Sequence, residues 1–150
     1  MISRYGETPK AGQRYKVRAG AYGILQRGDD VLLTWQDAPH NELQLPGGGI
    51  DPGEGAIAAL HREVYEETGW RIGAPCLLGI YRRFVFMPEY DMWAEKVCHI
   101  FLARPTMRLG PPTEPGHTAT WMGMAEAVPM LFHDGDADFL AKRLFAREKV

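Results

Sequence analysis

Three consecutive glycines, Gly47-Gly48-Gly49, stand just before a run free of glycine and proline, Ala56 to Thr68, which Gly69 closes. No other stretch constrains the fold as tightly. Ile57, Leu60 and Val64 repeat at helical spacing, which predicts a helix over about residues 55–68. Gly69 sits where a glycine in the left-handed conformation commonly ends a helix. The triple glycine permits close approach of backbone to another group. A narrow backbone element is thus placed directly ahead of a short helix.

That helix carries Glu63, Glu66 and Glu67. At about 100° per residue the three fall within an arc of roughly 100°. Spacings of three and four make them neighbours, and neighbouring like charges destabilise a bare helix. Ile57, Leu60 and Val64 are read as an apolar face pointing away from these acids. A divalent cation would resolve the repulsion. Hard oxygen donors favour Mg²⁺ or Mn²⁺, and Mg²⁺ is usually held by a few carboxylates together with phosphate oxygens. A glycine carbonyl can join such a shell, while free N–H groups and the helix N-terminus can face phosphate. Arg62, four residues before Glu66 and eight after Glu54, can brace the acids. An Arg-Glu-rich helix can equally be a plain solvated face.

The flanks read as strands, a second helix and loops. Residues 1–14 are polar, with Gly and Pro, and are expected to be a flexible lead-in; residues 15–150 are expected to form one domain. Val17–Arg27 and Val31–Gln36 read as a hairpin turned at Gly28-Asp29-Asp30. Leu43–Leu45 is short and extended. Pro75–Phe86 and Lys96–Ala103 predict a second antiparallel pair, and residues 104–117, with four prolines, a long loop. Thr118–Met122 reads as a strand. Asp136–Arg147 reads as a helix with Phe139, Leu140, Leu144 and Phe145 inward. This order implies an α/β (α+β) class, a mixed sheet between helices.

A net charge of -2 gives no case for a large nucleic-acid surface. No apolar run is long enough to span a bilayer, and the first residues lack a signal-peptide pattern, so a cytoplasmic location is expected. Cys76 and Cys98 lie in apolar runs and read as reduced core thiols, with a disulfide, or a metal site of Cys98 with His99, as alternatives.

From Gly48 the spacing runs five residues to Glu54, seven to Arg62-Glu63, then Val64, Glu66-Glu67, Gly69 and Trp70. This resembles the box of the Nudix hydrolase family, Gly-x5-Glu-x7-Arg-Glu-U-x-Glu-Glu-x-Gly-U, where U is bulky and aliphatic. The match covers 23 of 150 residues. The preceding hairpin, Leu45-Pro46 leading into the glycines, and Trp121 followed by an acidic segment and a helix extend the resemblance. Trp70 departs from the aliphatic position, and Gly55 from the usual capping Ser, Thr or Asp.

The resemblance implies an α/β/α sandwich and a metal-dependent hydrolase that cuts the pyrophosphate of a nucleoside diphosphate linked to a moiety X. It implies Glu63, Glu66 and Glu67 as metal carboxylates and the Gly47 carbonyl as a further ligand. Glu63 is also a candidate general base, and Arg62 and Glu54 orient the cluster. Family members often use a downstream loop glutamate, for which Glu114 is the candidate, with Glu89, Glu95 and Glu126 as rivals. Arg18, Arg82 and Arg83, with Arg27, are candidates for substrate phosphates. Tyr22, Trp35, Phe84, Phe86 and Trp93 are candidates to stack on a base, though each equally suits sheet packing. The implied partner is a small nucleotide, with a homodimer left open. A non-catalytic nucleotide-binding module of the same fold, and an isomerase of the isopentenyl diphosphate type, are the competing functions. The first typically loses box acids, and the second needs a catalytic cysteine and an altered box.

Overall fold

The computed structural model describes residues 2–148. Strands β1 (Ser3–Gly6), β2 (Lys16–Arg27), β3 (Asp30–Gln36), β4 (Glu42–Gln44) and β5 (Gly47–Gly49) precede helix α1 (Ala56–Thr68). Strands β6 (Trp70–Met87), β7 (Met92–Arg108) and β8 (His117–Gly123) follow, then helices α2 (Met124–Ala127) and α3 (Asp134–Glu148). The sheet runs β1-β6-β7-β2-β3-β4, with β5 added to β2 and β8 to β3. The pairs β1·β6 and β2·β7 are parallel and the others antiparallel, so the sheet is mixed.

Alternation along the strands builds two cores. Ala21 and Leu25 of β2, Leu32 of β3 and Phe101 of β7 pack with Ala59, Leu60 and Val64 of α1. Ile24, Val31, Leu33, Cys98 and Ile100 face the other way, toward Met124, Ala127 and Leu140 of α2 and α3. Side chains two apart on a strand share a face, so each apolar strand can feed both layers. The result is the helix–sheet–helix sandwich expected from the sequence.

Several boundaries differ from the sequence reading. The polar start is not a free lead-in: β1 pairs along β6, and the Tyr5 hydroxyl donates to Asp138 of α3. Tyr15 meets Phe84 and Trp93 edge-on at 4.8 and 6.0 Å. These partners lie more than 60 residues away in sequence, so no local pattern marks them. Strands β6 and β7 are longer than expected because register shifts between Arg71 and Gly79 carry the pairing past Gly73 and Pro75. Phe145 is 58% exposed and does not face inward, whereas Leu140 is fully buried. Cys76 is exposed and only Cys98 is a core thiol; both are free.

Gly69 ends α1 at φ 77° and its N–H donates to the Tyr65 carbonyl. A side chain there would also collide with the Gly110 carbonyl. Gly69→Ala is therefore expected to destabilise the fold by more than about 1 kcal/mol, measured as a lower urea midpoint at unchanged slope.

Candidate active site

Helix α1 places its acids at the rim of the sheet beside β5. The apolar face does not turn away from them as expected. Ile57 is 48% exposed, and the buried face runs through Ala59, Leu60, Val64 and Glu67, with Glu67 only 6% exposed. Glu67 lies about 20° from Leu60 around the helix, so it shares the buried stripe. Its Oε1 accepts the Gly47 N–H at 3.0 Å, tying the helix to the glycine strand.

The glycines make this contact possible. Gly47 has φ 149°, and a side chain there would strike the Ala21 carbonyl. A Cβ on Gly48 would sit 2.5 Å from the Glu63 carboxyl carbon. The space that a side chain would fill is the space Glu63 uses.

Arg62 holds the cluster from outside. Its Nε and Nη2 donate to the two oxygens of Glu54, both at 2.9 Å, a bidentate fork. Nη1 donates to Glu63 at 2.9 Å and lies 3.6 Å from Glu66, while Nη2 also reaches the Gly49 carbonyl at 3.0 Å. The fork and the Asp51 N–H hold the Glu54 carboxyl down at about 2. Burial pushes Glu63 above its ordinary range; Arg62 opposes this, and Glu66 and Glu114 add to it. Burial lifts Glu67 well above 4.5, and the Gly47 N–H only partly offsets the combined charges of Glu63, Glu114 and Glu66.

Glu114 arrives from the loop after β7. The Thr113 and Glu114 N–H groups both donate to the Glu66 carbonyl at 2.8 Å, which fixes this loop on the last turn of α1. The rivals lie elsewhere: Glu95 faces Arg82 at 3.8 Å, Glu89 sits on an exposed turn, and Glu126 is exposed after β8.

Sequence reasoning missed His117. Its Nε2 stands 3.6 Å from Glu67 Oε2, beyond hydrogen-bond range, and its Nδ1 is 2.9 Å from the Thr34 hydroxyl. Burial lowers the imidazole as it raises the carboxyl, so it disfavours the charged form of both partners in this contact. His117 neighbours Glu114 in a glycine-proline loop, and that proximity to a candidate acid was the available signal.

On the α3 side of the sheet, the glycine strand also borders a cavity of about 470 Å³. Arg83, Lys96, Tyr22, Cys98 and His133 line it. Of the candidate arginines, Arg83 reaches the cavity. Arg82 projects from the opposite face, with Glu95 and over Phe84; Arg18 lies over Tyr90, 5.0 Å from its ring centroid. Arg27 stacks on Trp70 and Trp121 and donates to the Pro105 carbonyl. Trp70 is thus accommodated by packing, edge-on to Trp121 at 5.6 Å. Of the candidate aromatics, Tyr22 and Phe86 border the cavity, while Phe84 and Trp93 pack on Tyr15.

The model of the NUDIX domain matches residues 14–142, most of the length. The chain belongs to the Nudix family. It is 36% identical over 77 residues to an RNA pyrophosphohydrolase of Legionella pneumophila, covering 51% of this chain and 41% of that protein. It is 37% identical over 60 residues to a MutT-like protein of Streptomyces ambofaciens, covering 40% and 39%. The chain thus spans less than half the length of these curated relatives. Among solved structures, a MutT protein from Bacillus halodurans superposes with a TM-score of 0.69 at 23% identity, covering 83% of this chain and 80% of that one. A Nudix hydrolase from Nitrosomonas europaea gives 0.64 at 24%, covering 77% and 78%. At that identity these share the fold.

Nudix proteins generally use a divalent metal. Among the described residues, no three His, Cys, Asp or Glu side chains converge closely enough to enclose an ion. Arg62 is the cation they meet instead. The donor chemistry nevertheless fits: oxygen ligands only, with two carboxyls raised by burial and mutual charge, the condition a divalent cation relieves. Among the described residues, no helix is long and apolar enough to cross a membrane.

Because folding raises Glu67, its contribution to stability is complete below pH 4.5 and is lost as pH rises through the folded-state value. In EDTA, the difference in melting midpoint between wild type and Glu67→Gln is expected to move against wild type as pH climbs from 4.5 toward neutrality. Scanning calorimetry at stepped pH measures it; a flat difference would show that Glu67 ionises freely in the fold.

Proposed function

We propose that this protein hydrolyses a phosphoric anhydride bond in a nucleoside diphosphate linked to a moiety X. The observation that carries this reading is the placing of Glu63, Glu66 and Glu67 on one helix against the glycine strand, with the Glu114 loop bonded to the Glu66 carbonyl. Glu63, Glu66 and Glu67, with the Gly47 carbonyl, would hold Mg²⁺ or Mn²⁺. Held there, the ion would neutralise pyrophosphate charge and polarise its oxygens.

The chain's own residues position and move a proton. The Glu54–Arg62 fork fixes Arg62, and Arg62 in turn orients Glu63. The Gly47 N–H fixes Glu67. Glu63 or Glu114 accepts a proton from the attacking water as its oxygen bonds to phosphorus; the anhydride P–O bond breaks and its electron pair leaves with the phosphate. A carboxylate raised above its usual range, as Glu63 is, is better matched to proton transfer near neutral pH.

The isomerase alternative fares poorly. Cys98, the cavity's thiol, is pushed up to about 11 chiefly by burial, which suits an inert core cysteine. The box acids that non-catalytic modules typically lose are all present.

Purified protein with Mg²⁺ or Mn²⁺ and a panel of (d)NTPs including 8-oxo-dGTP, dinucleoside polyphosphates, nucleotide sugars, ADP-ribose and 5′-triphosphate RNA tests this. We expect metal-dependent release of a phosphate product from at least one substrate. Glu66→Gln and Glu67→Gln should each lose at least about 100-fold in kcat/KM while staying folded. Glu114→Gln, if Glu114 is the base, should cost on the order of 100-fold in kcat. No turnover of any substrate, or equal turnover by wild type and Glu67→Gln, would overturn the reading.

A further inference from the structure

The cavity beyond the glycine strand has a feature the hydrolytic site does not use. In the strand register Arg83 of β6 stands opposite Lys96 of β7, and Lys96 opposite Arg18 of β2. Directly paired residues point to the same face, so three cations form one row across three adjacent strands. Like charges directly opposite each other destabilise a sheet. Among the described residues, neither Arg83 nor Lys96 forms a side-chain ion pair, and the Arg83 Nε is buried with no hydrogen-bond partner. Burial pushes the Lys96 ammonium down, Arg83 and Arg18 push it further, and Cys98 and Glu89 oppose them. Both Arg83 and Lys96 line the cavity.

Acids also border this space. Asp136 accepts a hydrogen bond from the Tyr81 hydroxyl at 2.7 Å and is raised to about 6 by burial. Glu89 lies on the exposed turn before β7, and Glu42 accepts from Gln44. None stands within ion-pair distance of the row.

We propose that Arg83 and Lys96, the two members of this row that line the cavity, bind a phosphate carried by X, separate from the bond that is cut. The substrate class is then a nucleotide with a second phosphorylated arm. This rests on the hydrolase reading and adds the chemistry of X to it. Gly47–Gly49 connects the two places: it bonds to Glu67 and Arg62 on one side and walls the cavity on the other. A diphosphate at the glutamates can therefore extend into the cavity, where the row supplies charge and guanidinium donors suited to phosphate oxygens.

Isothermal titration of the full chain with inorganic pyrophosphate in EDTA tests the row without catalysis. Wild type should bind saturably. Lys96→Gln and Arg83→Gln should each weaken binding about tenfold. Lys142→Gln, which removes a cation paired with Asp138 on α3, should not. Lys96→Gln should melt no lower than wild type, since it relieves a charge conflict; a purely structural lysine would lower the midpoint. Glu67→Gln should keep pyrophosphate binding while losing hydrolysis, which separates failure of the row from failure of the hydrolase. Among hydrolysed substrates, Lys96→Gln should lower kcat/KM about tenfold where X carries a phosphate and little where it does not. No saturable binding by wild type, or equal weakening in Lys142→Gln, would overturn the proposal.

Discussion

A single buried hydrogen bond organises the site: the Gly47 N–H to the Glu67 carboxylate. It joins the first residue of β5 to the last full turn of α1. The helix also rests on the sheet through the buried stripe of Ala59, Leu60 and Val64, which turns this face inward. The bond from a fixed backbone amide, with the Arg62 bond to the Gly49 carbonyl, holds the acid-bearing turn against β5. Burying a carboxylate is unfavourable without a partner, and one N–H compensates only in part.

The neighbouring charges are arranged in tension. Glu66 and Glu114 add to the rise of Glu63 and Glu67, while Arg62 binds Glu54 firmly and Glu63 from one side. The Glu54–Arg62 pair is satisfied in the folded chain. The inner acids have fewer partners, one N–H for Glu67 and the Arg62 Nη1 for Glu63, and the proposed cation would complete them. Across the glycine strand the opposite situation holds: Arg83 and Lys96 are gathered there and, among the described residues, no acid stands in ion-pair range of them. A narrow ribbon of backbone separates an anionic centre from a cationic one, and an extended phosphorylated ligand suits both.

Much of this was legible in the chain. Helix α1 and its closing Gly69 followed from local periodicity and a left-handed cap, both short-range effects. The β2–β3 hairpin followed from alternation around Gly28. Failures had long-range causes. Tyr5 and Tyr15 owe their order to partners on β6, β7 and α3, which no window around residues 1–14 contains. The strand ends at Trp70 and Arg108 depend on bulges that absorb Gly73 and Pro75.

The sequence by itself determined the chemistry: which acids share a helix, which arginine braces them, and that a side-chain-free backbone lies beside them. Covalent spacing along a regular helix is enough for that. Only the tertiary structure decided environment. It buried Glu67 and left Ile57 outside, brought His117 against Glu67, and turned Arg83 toward the cavity and Arg82 away from it. Burial and proximity arise from contacts between distant segments, and those contacts shift the ionisation of Glu63, Glu67 and His117.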